Sequence, residues 1–200
     1  MSLPVALVVA YLLGAIPMTL IVARLGAGVD LRAVGSGNLG ATNLYRALGW
    51  KYAIPAGVFD VAKGAVPTAF LPGRVGTEAW IPLAIGAAAI AGHVFSVFVR
   101  FRGGKGVATA AGVVLALAPL PVLLSFVVWA GVVKLTGYVS LASMLGAVVF
   151  PLAAWIVGTA NPWVVPVGAL LAAFILFTHR ANLARLLAGT ENRFGRRREA

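Results

Sequence analysis

Cysteine is absent from the 200 residues and histidine occurs only twice. There is therefore no disulfide framework, no thiolate nucleophile and no grouped metal-ligand spacing, and the redox compartment leaves no mark. Charge is scarce as well. Only 10% of residues are charged, and acids are rarest, five against sixteen lysines and arginines. A soluble domain carries about a quarter charged residues, so an ordinary soluble fold is excluded. What fills the chain instead is apolar: 61% hydrophobic residues with a mean hydropathy of +0.99. These values define an integral membrane protein. In a soluble protein the net charge of +11 would suggest nucleic acid as a partner. In a membrane protein basic residues gather beside cytoplasmic helix ends, and no nucleic-acid partner is expected. No linker, low-complexity run or repeat stands out, so residues 1–200 are expected to form a single transmembrane domain with a basic cytoplasmic tail at about 190–200.

Apolar runs predict the crossings. Leu3 to Ala23 has no lysine or arginine before it and Arg24 after it, which predicts a retained first helix with its N-terminus outside. Tyr52 to Leu71 returns outward and Ile81 to Val99 comes back in. Val107 to Val133 is too long for one crossing of about 20 residues, and Pro119 and Pro121 near its middle predict a break into two short ones. Leu141 to Val157 and Val164 to Phe177 complete seven transmembrane helices, with the C-terminus cytoplasmic. All lysines and arginines except Arg74 and Lys63 then fall on cytoplasmic flanks. Six helices would place Lys134 and the tail on the wrong side.

Polar chemistry concentrates in three places on that side. Gly35-Ser36-Gly37-Asn38-Leu39-Gly40-Ala41-Thr42-Asn43, with Arg46 behind it, is the longest interruption of hydrophobicity in the chain. Glycines let amide N–H groups converge on an anion, and an arginine adds a bidentate fork. Gly35 to Gly40 matches G-x-G-x-x-G, and Asp60 follows at the dinucleotide-fingerprint distance, but that motif needs a βαβ setting. Membrane-length helices flank this one. Gly103-Gly104-Lys105-Gly106 precedes the helix predicted from Val107, so its glycines and lysine meet the positive end of a helix, again an anion site. Val99 and Gly106 exclude a Walker A loop. His179 and Asn182, three apart, share one helical face beyond the last span, with Arg185 and Glu191 following.

Within the spans, Asp60 and Lys63 are also three apart and are expected to neutralise each other as a structural brace, and His93 reads as a satisfied core histidine. Val34 removes the G-x-S-x-G pattern and no acid stands ready to orient a histidine on Ser36, so a Ser-His-Asp triad is not expected. Ser36 reads as a ligand donor.

Together these segments resemble the bacterial acyl-phosphate:glycerol-3-phosphate acyltransferases, the PlsY family, over essentially the whole chain. The pattern is Gly35 to Asn43 with Arg46, His93 with Gly103 to Thr109, and His179 with Asn182, Arg185 and Glu191; Asp60 and Lys63-Gly64 fit as well. Ser96 stands where the family usually has proline, and Arg102 where lysine is common. The resemblance implies an all-α, seven-helix protein of the bacterial inner membrane whose glycine-rich cytoplasmic loops form the site. It implies transfer of a fatty acyl group from acyl phosphate to the 1-hydroxyl of glycerol 3-phosphate in phospholipid biosynthesis, without metal or other cofactor. By motif position Ser36, Arg46, Lys105, His179 and Asn182 form the catalytic set that holds glycerol 3-phosphate. Gly35, Gly37, Asn38, Gly40, Thr42, Asn43, Gly103, Gly104 and Gly106 contribute substrate binding, chiefly as a backbone cradle for the donor head group. Asp60, Lys63 and His93 support them. Membrane lipid and an enzyme that produces acyl phosphate are the implied partners. Either His179 or the donor phosphate takes the hydroxyl proton. The competing reading is an anion transporter, since cationic groups and glycine-broken helices also suit phosphate permeation; against it, no repeat is visible and the motifs gather on one face.

Overall fold

The computed structural model describes residues 1–194; the last part of the expected basic tail, from residue 195 on, lies outside the described residues. The described chain is helical with no strand and divides into two compact units, split after Leu117. The first holds α1 (Leu3–Ala15), α2 (Met18–Ala27), α3 (Ala41–Leu48), α4 (Trp50–Phe70), α5 (Ile81–Val94) and α6 (Val107–Leu117). The second holds α7 (Pro119–Thr136), α8 (Val139–Val157), α9 (Val164–Thr178) and α10 (Arg180–Leu187).

Five stretches are long and apolar enough to cross a bilayer: Leu3–Ala27, Trp50–Arg74, Ile81–Val99, Pro119–Thr136 and Val139–Val157. A sixth arises if α9 and α10, bent by 60° at His179, count as one. The long run after Val107 does break at the prolines: α6 stops at Leu117 and α7 starts at Pro119, where a missing N–H costs nothing. But α6 has only 11 residues, about 16 Å at 1.5 Å per residue against roughly 30 Å of hydrocarbon.

Two expected spans are interrupted. Leu3 to Ala23 is broken between α1 and α2, because Pro17 has no N–H to donate and pushes Ile16 to an extended ψ of 114°. The span expected to Val99 ends as a helix at Val94, followed by a 3-10 turn over Val97–Val99. No proline is needed there: Phe95 leaves helical geometry, and Ser96, 1% exposed, donates its hydroxyl to the Ala15 carbonyl freed by the first break, at 2.5 Å. Tyr11 returns the contact, its hydroxyl donating to the Phe95 carbonyl at 2.6 Å. Each broken helix thus takes up a carbonyl stranded in the other.

Close helix approach rests on small residues, as expected where lipid removes the hydrophobic drive between helices. A Cβ on Gly14 or Gly92 would strike backbone of α5 or α1 respectively, and one on Gly64 or Gly112 would strike α6 or α4. The outward faces are apolar, with Val58, Val127, Leu170 and Trp155 among many exposed large side chains. In water such a surface would aggregate; facing hydrocarbon it is at its free-energy minimum, with backbone polar groups bonded inside the helices.

Candidate active site

The Ser36 loop owes its shape to one side chain. Asn43, on α3 and 2% exposed, accepts the Ser36 N–H on Oδ1 at 3.0 Å. Its Nδ2 donates to the carbonyls of Leu31 at 3.2 Å and Val34 at 3.1 Å. Gly35 and Gly37 have φ of +59° and +67°, and a Cβ on Gly35 would collide with Asn43 Oδ1. At Gly35 glycine is required on both counts. The turn leaves Ser36 exposed, while Asn38 and Thr42 are half-buried and Gly40 caps α3. Arg46 stands in the last turn of that helix, half-buried. Ahead of the loop, Asp30 accepts from the Arg24 and Arg32 side chains and from the Arg32 N–H. Those bonds hold its carboxyl well below the usual carboxylate range.

The second glycine segment is stitched to the end of α5. The Phe101 N–H donates to the Ser96 carbonyl at 2.8 Å, the Gly103 N–H to Val94 at 2.9 Å and the Gly104 N–H to His93 at 3.2 Å. Arg100 and Phe101 adopt positive φ of 55° and 60°, conformations non-glycine residues rarely hold. Lys105 follows, half-buried, with Gly106 completing the approach to the first residue of α6, Val107. A Cβ on Gly103 or Gly104 would strike His93.

Behind both segments lies a buried polar node. Lys63 Nζ is 2.7 Å from Asp60 Oδ1 and donates at 2.9 Å to the Ile16 carbonyl, which lies in the break at Pro17 and also accepts the Met18 N–H at 3.0 Å. His93 Nδ1 is 3.8 Å from the same carboxylate oxygen. Thr19, 1% exposed, donates to the Leu39 carbonyl at 3.1 Å. Between these groups is a cavity about the size of one water molecule, lined by Asp60, Lys63, His93, Ser96, Thr19 and the Gly103-Gly104 backbone.

In the second unit His179 is buried between α9 and α10, its Nδ1 2.9 Å from the Ile175 carbonyl. Because a carbonyl can only accept, that contact assigns the ring proton of neutral His179 to Nδ1 and makes Nε2 the basic atom. Three residues on, Asn182 Nδ2 donates to Glu191 Oε1 at 2.8 Å; Ser140 donates to the same oxygen at 2.9 Å and Arg185 Nε to Oε2 at 2.7 Å. Burial pushes the Glu191 carboxyl up, but the bonds from Asn182, Arg185 and Ser140 outweigh it and hold it below its ordinary value. A depressed carboxylate pKa adds stability above the unfolded-state value of about 4.3 and loses it as pH falls through the folded-state value. The thermal unfolding temperature of the detergent-solubilised protein is therefore expected to drop on acidification below about pH 4. Glu191→Gln should start less stable and lack that acid limb; an unchanged limb would assign it to other groups.

The structure thus brings Ser36 together with Asn43, Asp60 with Lys63, His93 and Gly103-Gly104, and Asn182 with Glu191. Arg46 and Lys105 sit on separate segments of the first unit, and His179 belongs with Asn182 in the second. Thr19 and Ser140 are not singled out by the sequence. Their only signal is a hydroxyl in an apolar helix, which most often bonds its own helix backbone.

Broken apolar helices around glycine-rich segments, with Arg46 on α3 and Lys105 ahead of α6, define a helical integral membrane protein. Comparison with known proteins narrows the class. The glycerol-3-phosphate acyltransferase family profile matches residues 4–189. The chain is 48% identical to a glycerol-3-phosphate acyltransferase of Thermus thermophilus, covering 97% of this chain and 96% of that one, and 44% identical to that of Aquifex aeolicus, covering 92% and 95%. A crystal structure of PlsY, an integral membrane glycerol 3-phosphate acyltransferase, in its glycerol 3-phosphate form, superposes with a TM-score of 0.89 at 43% identity, covering 96% of each chain. A lysophosphatidic acid form of PlsY gives 0.88 at 41%, covering 96% of this chain and 95% of that one. The chain belongs to the glycerol-3-phosphate acyltransferase family.

Proposed function

We propose that this protein transfers a fatty acyl group from acyl phosphate to the 1-hydroxyl of glycerol 3-phosphate, releasing phosphate and 1-acyl-glycerol 3-phosphate for phospholipid synthesis. The observation that carries this reading is the near-full-length likeness to PlsY in both a glycerol 3-phosphate and a lysophosphatidic acid form. One domain does the work, crossing the bacterial inner membrane seven times with the N-terminus outside and the site facing the cytoplasm. Seven crossings take α6 together with the Gly103 to Gly106 segment before it as one crossing, since the helix alone reaches about 16 Å, and α10 lies beyond the last span. The distribution of lysine and arginine supports that orientation.

Both substrates carry phosphate, one soluble and one with its chain in the membrane, so a cationic site at the lipid boundary serves both. Arg46 and Lys105 supply the charge, and Ser36, His179 and Asn182 address the acceptor. The segments of Gly35, Gly37, Gly40, Gly103, Gly104 and Gly106, with Asn38 and Thr42, line the donor head-group cradle. The Gly37, Gly103 and Gly104 N–H groups donate to the Val34, Val94 and His93 carbonyls, so these glycines serve by bringing bare backbone close, and Asn43 serves by holding the loop. Asp60, Lys63 and His93 brace the cradle. The reaction forms a bond from the acceptor hydroxyl oxygen to the acyl carbon and breaks the bond from that carbon to the phosphate oxygen. Acyl phosphate is an activated anhydride, so alignment and stabilisation of developing negative charge carry most of the rate. The hydroxyl proton goes either to His179, whose basic ring atom is Nε2, or to the departing phosphate. An enzyme that makes acyl phosphate must supply the donor.

The test is phosphate release by purified protein in detergent, given palmitoyl phosphate with and without glycerol 3-phosphate. Acceptor-dependent release with 1-acyl-glycerol 3-phosphate as product is expected. A folded protein that releases none across several chain lengths would end this reading and favour transport, which needs two sealed compartments. Ser36→Ala is expected to raise KM for glycerol 3-phosphate about tenfold, the worth of one hydrogen bond to a charged ligand, with no acyl group ever trapped on residue 36 of the wild-type protein. An acylated Ser36 would replace direct transfer with a two-step route.

A further inference from the structure

Thr19 lies in α2, outside every glycine-rich segment, yet it is 1% exposed and bonds one particular carbonyl, that of Leu39, at 3.1 Å. Leu39 ends the Ser36 loop and precedes Gly40, the cap of α3. Its carbonyl oxygen also faces the second glycine segment, since a Cβ on Gly104 would lie 3.0 Å from it. This oxygen is therefore a point of close approach between the two glycine segments, and Thr19 holds it. The Gly104 side of the junction is fixed independently, by the bonds of Gly103 and Gly104 to the carbonyls of Val94 and His93 and by the His93 ring. The link leading into α2 is itself anchored, because the carbonyls of Ala15 and Ile16 accept from Ser96 and Lys63.

We propose that Thr19 is a positioning residue that sets the separation between the two glycine segments, and with it the width of the donor cradle. This rests on the acyl phosphate reading given above. Without the hydroxyl, the Leu39 carbonyl is buried with its acceptor capacity unmet, and the Ser36 loop relaxes away from Gly104 to reach another donor. The cradle widens while Arg46 and Lys105 stay in place. The consequence is weaker capture of acyl phosphate, with capture of glycerol 3-phosphate weakened less and only through Ser36, the acceptor contact carried on the moved loop.

Thr19→Val keeps the side-chain shape and removes the hydroxyl; Thr19→Ser keeps the hydroxyl. Both are compared with wild type by initial rates of phosphate release at varied palmitoyl phosphate and varied glycerol 3-phosphate. T19V is expected to raise KM for palmitoyl phosphate about tenfold and KM for glycerol 3-phosphate by less than Ser36→Ala does, and T19S to restore both. Partial misfolding lowers kcat without moving KM, so it cannot imitate this result. If T19V does not accumulate, Thr19→Ala removes the same hydroxyl and is read in the same way. An unchanged donor KM in T19V, or equal impairment of T19S, overturns the proposal while leaving the enzyme's activity standing. A wild-type protein with no acceptor-dependent release overturns both.

Discussion

Lys105→Ala is expected to lower kcat/KM by about 10² to 10³, the loss found when one preorganised group facing developing charge is removed. Lys105 is half-buried and two residues ahead of α6, where unpaired N–H groups already favour an anion, so its ammonium adds to an existing positive field. In the proposed reaction negative charge builds on the departing phosphate as the acyl group leaves it, and a Lys105 contact to that phosphate would strengthen with it. Arg46→Ala is expected to cost a similar factor. Arg46→Lys should not restore it, since an ammonium cannot reproduce the planar fork. Steady-state kinetics with palmitoyl phosphate, beside thermal unfolding to show that the variants fold, decides the matter. Turnover near wild type in either alanine variant would remove that residue from the site.

Asn43→Asp is expected to have the next largest effect, although it exchanges only one amide group for an oxygen. Asn43 Nδ2 donates to two carbonyls, Leu31 and Val34, and an aspartate there turns a carboxylate oxygen toward both. Two hydrogen bonds are lost, and a buried acceptor faces acceptors. At about 1 kcal/mol per bond plus 1 to 3 for the unmet group, the ordered loop loses about 3 to 5 kcal/mol. Even the lower figure corresponds to about a hundredfold fewer molecules with the loop in place. Activity should fall accordingly, while hydrogen exchange at Ser36 and Gly37 rises and α7 to α9 remain protected. Intact exchange protection at Ser36 would show that the loop holds its shape without Asn43.

The membrane class, the glycine-rich segments and the break at Pro119 are legible in the sequence because each depends on local composition or on a residue that cannot adopt helical bonding whatever surrounds it. The break at Pro17 obeys the same rule but is masked, because the apolar run from Leu3 to Ala23 continues through it and hydropathy sums over windows. The end of α5 at Val94 carries no local signal. Its stop rests on the bond from Ser96 to Ala15, 81 residues away in sequence.

Asn43 reads in the sequence as a ligand-binding residue, and the structure also gives it the loop's internal hydrogen bonds. Asp60, Lys63 and His93 stand out by their place in apolar helices, but only coordinates show the ammonium taking the Ile16 carbonyl and the imidazole lying against Gly104. Ser140 and Glu191 meet across 51 residues. By itself the sequence determined that the chain lies in a membrane, roughly where its helices run and where its glycine-rich cationic segments fall, since apolar runs, prolines, glycines and cations act through local free energies. The tertiary structure alone decided which buried donor meets which stranded carbonyl. A hydrogen bond depends on angstrom-scale geometry between segments far apart in the chain, and no pattern of residue types encodes that distance.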